Sequence, residues 1–268
     1  MRFSTLEKSF MATIAIAVPL FVVASRLQNH QFQKAALMAK KVVVATRVDS
    51  STIVITPKGD YARQKQEVSA AQSRLKRLYL QTNTQVEKKK VLDSAGRYLT
   101  NAIVNQLVPH WYGTPWSFEG YTETPRKGEI ACGYFVATVL NHAGLKMNRF
   151  KMAQQAPDSE IKTLHQQPIG IFFNAESVSA FQDSVRTLLK EGLYIFGLSN
   201  HVGFLLHQKG QVYFIHSSGY FPDYKVVIEH ASNSPVLYYP QDCRLGEITP
   251  NEKLVKQWLL GETVVIQQ

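Results

Sequence analysis

Three consecutive apolar runs, Leu193 to Leu198, Val202 to His207 and Val212 to Ser218, constrain this chain more than any other stretch, because Lys209-Gly210 lies between the second and the third. Runs of this length and composition read as strands, and a two-residue turn obliges the strands it joins to lie antiparallel. The turn also dictates partners: Leu205 faces Phe214, Gly203 faces His216 and His201 faces Ser218. His201 and His216 then share one face of the sheet as diagonal neighbours, about 7–8 Å apart at the backbone. Gly203, opposite His216, leaves room for a ring. Shorter runs near Val226 to Ile228 and Val236 to Tyr239 extend the sheet.

Before these strands the period is helical. Residues Ala62 to Lys90 read as an amphipathic helix, and Val91, Ala95, Tyr98, Leu99, Ala102, Ile103 and Leu107 recur at helical spacing up to Pro109. A turn-rich, aromatic loop from His110 to Ile130 forms the wall of a site. A helix starts at Cys132, with Phe135, Val136, Val139, Leu140 and Ala143 on one face and Gly144 as its stop. Another covers about Glu176 to Glu191 and ends at Gly192. The sequence Thr249-Pro250-Asn251-Glu252 reads as a capping box with proline at the first helical position, opening a last helix that closes near Gly261. Helices first and strands second predict an α+β fold with an antiparallel sheet.

Of 268 residues, 45% are hydrophobic, which excludes a disordered chain, and the apolar stretches are too short for a bundle of membrane helices. Thirty basic against 20 acidic residues give a net charge of +10, which favours an anionic partner such as nucleic acid, phospholipid or an acidic envelope polymer without choosing among them. Nucleic acid is not expected, because the basic residues sit in short groups (Lys40-Lys41, Arg74/Lys76/Arg77, Lys88 to Lys90) rather than in a stripe. Residues 1–25 read as an export signal: Arg2 and Lys8 precede an apolar run from Phe10 to Ala24, closed by Ala24 and Ser25. Uncleaved, that run is an N-terminal anchor. Residues 26–90, including a β-rich pair at Val42 to Thr46 and Thr52 to Thr56, are read as an N-terminal extension, and 91–268 as the catalytic domain of a monomer in the periplasm or the cell envelope.

Two cysteines, Cys132 and Cys243, cannot build a disulfide scaffold or a four-cysteine zinc site. A thiol at a helix N-terminus meets unpaired N–H groups and the positive end of the helix dipole, which favour the nucleophilic thiolate. An imidazole beside it completes an ion pair, and a second polar group that fixes the imidazole tautomer completes a nucleophile, base and orienter. Cys132, His201 and His216 fit those roles in that order. The bland alternative makes Cys132 a small apolar helix residue and His201 a strand-start surface residue. Zinc on His201, His207 and His216 is disfavoured, since His207 stands too far along its strand from His201. No metal and no cofactor are expected. Cys243, in what reads as a polar loop between Pro240 and Gly246, is expected to be unbonded to Cys132.

Gly113-Thr114-Pro115-Trp116-Ser117-Phe118-Glu119-Gly120, Ala131-Cys132-Gly133-Tyr134, His201-Val202-Gly203-Phe204 and Phe214-Ile215-His216-Ser217-Ser218 together resemble, in order, the motifs of the NlpC-type papain-like cysteine peptidases of bacterial cell envelopes. The likeness spans about residues 91–218. It implies a papain-like α+β fold with Cys132 as nucleophile, His201 as base and His216 as orienter. It also implies that Trp116, Ser117 and Tyr134 line the substrate and oxyanion site. Wall-peptide enzymes of the family read Asp-Cys-Ser where this chain has Ala131 and Gly133, so the catalytic groups carry over better than the wall-peptide specificity. The implied activity is thiol-dependent hydrolysis of amide bonds in peptides such as peptidoglycan stem peptides. The alternatives are an acyltransferase or amidase with the same three residues, and a catalytically inactive basic wall-binding protein.

Overall fold

A computed structural model describes residues 56–166, 171–174, 177–237 and 242–267. The export segment and the expected β-rich pair lie outside these residues, apart from Thr56. The stretch expected as one amphipathic helix to Lys90 is two. Helix α1 (Tyr61–Gln81) starts where the Asp60 carboxylate accepts the Arg63 N–H, and α2 (Gln85–Asn101) where the Thr84 hydroxyl accepts the Glu87 N–H. The boundary expected at residue 90 thus falls inside α2.

Helix α1 packs on the same core as the rest: Val68, Ala71 and Tyr79 are buried. The Trp111 indole N–H donates to the Tyr61 hydroxyl (2.8 Å), which in turn bonds His142 Nδ1 (2.9 Å). Burial pushes His142 down to about 4, so its ring is neutral and accepts the tyrosine proton. The helix run does not stop before Pro109. A π-helical segment, Ala102–Leu107, leads into the short α3 (Val108–Trp111), where Pro109 sits at the start and its missing N–H costs little.

After the loop come α4 (Cys132–His142), α5 (Arg149–Ala153) and α6 (Pro157–His165), then β1 (Ile171–Asn174) and α7 (Val178–Leu188). The remaining strands are β2 (Gly192–Gly197), β3 (Val202–Gln208), β4 (Gln211–Ser217), β5 (Val226–His230) and β6 (Asp242–Glu247), and α8 (Glu252–Leu260) closes the fold. The fold is α+β, and every strand pairing is antiparallel, in the order β1-β6-β2-β3-β4-β5. Residues alternate across the sheet. Ile195, Phe204, Leu206 and Ile215 join the core that holds α2 and α4, while Tyr194, Phe196, Leu205 and Phe214 join the one that holds α7.

Two strand expectations are corrected. Pro235–Leu237 is a 3₁₀ turn rather than a strand, and the supposed polar loop around Cys243 is β6, in which Cys243 and Leu245 are buried between charged neighbours. The last helix is capped by Asn251, whose side chain accepts the Lys253 and Leu254 N–H groups, not by Thr249. Thr249 instead accepts the Leu193 N–H, at 2.8 Å, and ties the helix start to β2.

The β3–β4 register is as expected, with Leu205 opposite Phe214 and Phe204 opposite Ile215. Lys209 and Gly210 both have positive φ (51° and 68°), the backbone of a type I′ hairpin. A Cβ on Gly203 would come within 2.7 Å of the His216 Cβ and of the Phe214 ring. Gly203→Ala is therefore expected to cost roughly 1–3 kcal/mol by overpacking. Thermal or urea unfolding checks this, and an unchanged midpoint would show that the sheet does not need the close approach.

Candidate active site

The segment before Cys132 is held at both ends of the site. Ala131 N–H donates to Gly120 O (2.8 Å), Ile130 N–H donates to Pro115 O (3.0 Å), and the buried Ser217 hydroxyl donates to Ile130 O (2.7 Å). Ser217 follows His216, so β4 fixes both a histidine and the approach to the cysteine. Helix α4 starts at Cys132 without a side-chain cap. Its sulfur faces the backbone N–H groups of Cys132, Gly133 and Val202. Val202 is the residue after His201, so the thiol sits where β3 begins. Gly133 is glycine for steric reasons: a Cβ there would lie 2.5 Å from Ala153 O and 3.0 Å from Glu160 Oε1.

His201 immediately precedes β3 and His216 is the penultimate residue of β4, so both sit at the end of the hairpin away from its turn. Their rings are 4.9 Å apart and edge-on, with His201 Nε2 bonded to His216 Nδ1 at 2.8 Å. That bond leaves Nδ1 as the other ring nitrogen of His201, and among the described residues no hydrogen bond joins it to Cys132. Phe214 stacks on His216 at 4.0 Å, and the Tyr220 ring lies edge-on to His201 at 5.3 Å. Burial pushes the Tyr220 hydroxyl pKa up, and charge on Cys132 would add to that rise, which puts the tyrosine near the thiol. His207 turns away to the Lys190 carbonyl (3.3 Å).

A fourth member had no place in the sequence reading. His216 Nε2 bonds Glu229 Oε2 at 3.2 Å. Glu229 stands on β5 opposite Phe214, which makes it a diagonal neighbour of His216 on the same face. The signal was a lone acid in the apolar stretch Val226-Val227-Ile228-Glu229. Its face was not readable, because the eight residues from Ser218 to Lys225 are not a turn of fixed geometry.

Burial dominates the electrostatics. It pushes the Cys132 thiol up, against the three N–H groups that pull it down, and only a charge on the buried Glu160 would add to the rise. It holds His201 well below the usual imidazole range and His216 at about 3. The thiolate–imidazolium pair expected from the helix N-terminus is therefore not the resting form. The desolvation of two charges outweighs the dipole, and the thiol and both rings rest neutral. Glu160, fully enclosed and with Oε2 unpartnered, is held protonated for the same reason.

Of the expected lining residues, Trp116 lies against the segment after His216: its backbone N–H donates to Tyr224 O (2.9 Å), and its indole covers Gly219, where a Cβ would meet the ring at 2.7 Å. Ser117 contributes a turn, its carbonyl accepting the Gly120 N–H. Tyr134 is directed to α5, where its ring meets Phe150 and Tyr121 and the Arg149 guanidinium lies 5.0 Å above it. Arg149 in turn holds the loop, donating to the Tyr121 and Thr122 carbonyls and to Thr138 of α4. Comparison of the chain with protein-family models, curated proteins and solved structures found no match.

Neither cysteine is in a disulfide. Cys243, pushed up to about 12 by burial, is expected to resist alkylation in the folded protein. Only the thiolate reacts, so a raised pKa moves reactivity to higher pH. The alkylation rate of Cys132 by iodoacetamide should still be rising above the ordinary thiol value of about 8.5. Peptide mapping across pH checks this, and a plateau near neutrality would reveal a preformed ion pair instead.

Proposed function

We propose that this protein is an exported thiol hydrolase of papain-like, NlpC-type architecture that cleaves amide bonds in cell-envelope peptides. The observation that supports it most is the 2.8 Å bond between His201 and His216 at the hairpin end where the Val202 N–H meets the Cys132 sulfur. In this reading His201 Nδ1 takes the thiol proton as sulfur attacks the carbonyl carbon. The N–H groups at the uncapped start of α4 stabilise the oxyanion. The imidazolium then protonates the leaving amine, the C–N bond breaks, and water, deprotonated by His201, releases the acid from the thioester. His216 holds the His201 ring and its tautomer. Trp116, against Gly219, forms one wall. The basic charge of the chain favours an anionic polymer around the scissile peptide.

A thiol-reactive acyl probe followed by digestion of purified wall fragments tests the reading. Labelling of Cys132 and cleavage of an amide bond are expected. Cys132→Ala should abolish turnover and His201→Ala should cost about 10²–10⁴-fold. His216→Ala should lose less, and His216→Asn, which keeps an acceptor, should retain more than His216→Ala. A protein that binds wall fragments but releases no new amine, with Cys132 unreactive to the probe, would be a wall-binding protein and not an enzyme.

A further inference from the structure

We infer that Glu229 is a positioning residue of the site: acting through His216, it decides which nitrogen of His201 carries the proton, and so whether His201 presents a lone pair or an N–H at Nδ1. The inference rests on the proposed role of His201 as the base for Cys132.

Two hydrogen bonds run in series, Glu229 Oε2 to His216 Nε2 at 3.2 Å and His216 Nδ1 to His201 Nε2 at 2.8 Å. His216 is fully buried, and both of its ring nitrogens are engaged by these two partners. A neutral imidazole has one donor and one acceptor nitrogen, so both bonds must point the same way. A carboxylate can only accept. When Glu229 is ionised, His216 donates from Nε2, accepts at Nδ1, and draws its proton from His201 Nε2–H. His201 Nδ1 is then an unprotonated base. When Glu229 is protonated it can donate to His216 Nε2. The series then reverses, and His201 carries its proton on Nδ1, the nitrogen that would otherwise take the thiol proton.

The surroundings put this choice within ordinary pH. Burial raises the Glu229 carboxyl to about 7. Among the described residues, the titratable group that β4 sets against Glu229 is neutral His216. Asp223, in the loop before β5, favours charge on His216 and lies 3.8 Å from Lys225. On Glu229's own strand, His230 is occupied by Gln211 and Ser232, and the nearby Arg186 of α7 acts on His230. The sign follows: the carboxylate, and with it the base form of His201, is enforced above about pH 7 and released below it.

Long-range ¹H–¹⁵N spectra of the histidines in the full chain read the tautomers without any need for turnover. In the wild type above the Glu229 pKa, His201 should show a pyridine-type Nδ1 and a pyrrole-type Nε2. On acidification through about pH 7, the Nδ1 signal should move toward the pyrrole type. Glu229→Gln, which can both donate and accept, should remove the pH dependence and mix the two forms. The rising limb of kcat/KM near pH 7 should be lost in the same variant. A His201 tautomer that stays the same across pH in the wild type, and between wild type and Glu229→Gln, overturns the inference, and the wild-type titration decides it even if the variant does not fold. A tautomer that switches in a protein without turnover supports the inference and removes only the hydrolase reading.

Discussion

The register of β3 against β4 is the constraint on which the site depends. Slipping the pairing by one residue would send every side chain of one strand to the opposite face, separating His201 from His216 and driving a side chain into the space that Gly203 leaves open. The turn at Lys209-Gly210 prevents the slip because both residues adopt positive φ, a backbone whose twist matches the strands. Ser217 extends the same register to Cys132. Its hydroxyl holds Ile130, two residues before Cys132, so one strand places the His216 ring and the approach to the thiol together.

Enclosure then determines the chemistry of what has been assembled. In water a thiol and an imidazole at a helix N-terminus would exchange a proton readily, but here burial opposes both charged forms and the groups rest neutral. In the proposed mechanism the proton moves only as the sulfur attacks, when the developing oxyanion is met by N–H groups already in place and the imidazolium by a polarised His216. Neutrality of His216 is also what couples its two hydrogen bonds, because a doubly protonated ring could donate to both partners and would transmit no preference.

Those parts of the site that depend on local geometry were legible in the sequence. The histidine pair and Gly203 follow from a two-residue turn, and the helix start at Cys132 from the periodicity of Phe135, Val136, Val139 and Leu140. Glu229 was not legible, because its face depends on how Ser218 to Lys225 cross from β4 to β5. Strand β6 was missed because its partners are distant in sequence, Phe173 against Cys243 and Phe196 against Leu245, while the charges of Asp242, Arg244 and Glu247 read as loop. The resting charge state was misjudged for a related reason: the helix dipole is visible in a sequence, but the desolvation that outweighs it exists only once the chain is folded.

The departure at Gly133 has the same kind of cause. A serine at that position would place its Cβ against the Ala153 carbonyl and the Glu160 carboxyl, so the close approach of α5 and α6 to the start of α4 leaves glycine as the side chain that fits. Glu160 can stay there only as the neutral acid, since it is enclosed and its Oε2 has no partner to stabilise a charge. Position 133, beside the nucleophile of the proposed enzyme, is thus given over to packing rather than to recognition. In the proposed enzyme, selectivity for one peptide over another then falls to the Trp116 wall and to the Tyr121 to Ile130 segment that Arg149 holds against α4. The reacting groups would be common to any amide substrate, and discrimination would lie in a loop whose position is set by one buried guanidinium.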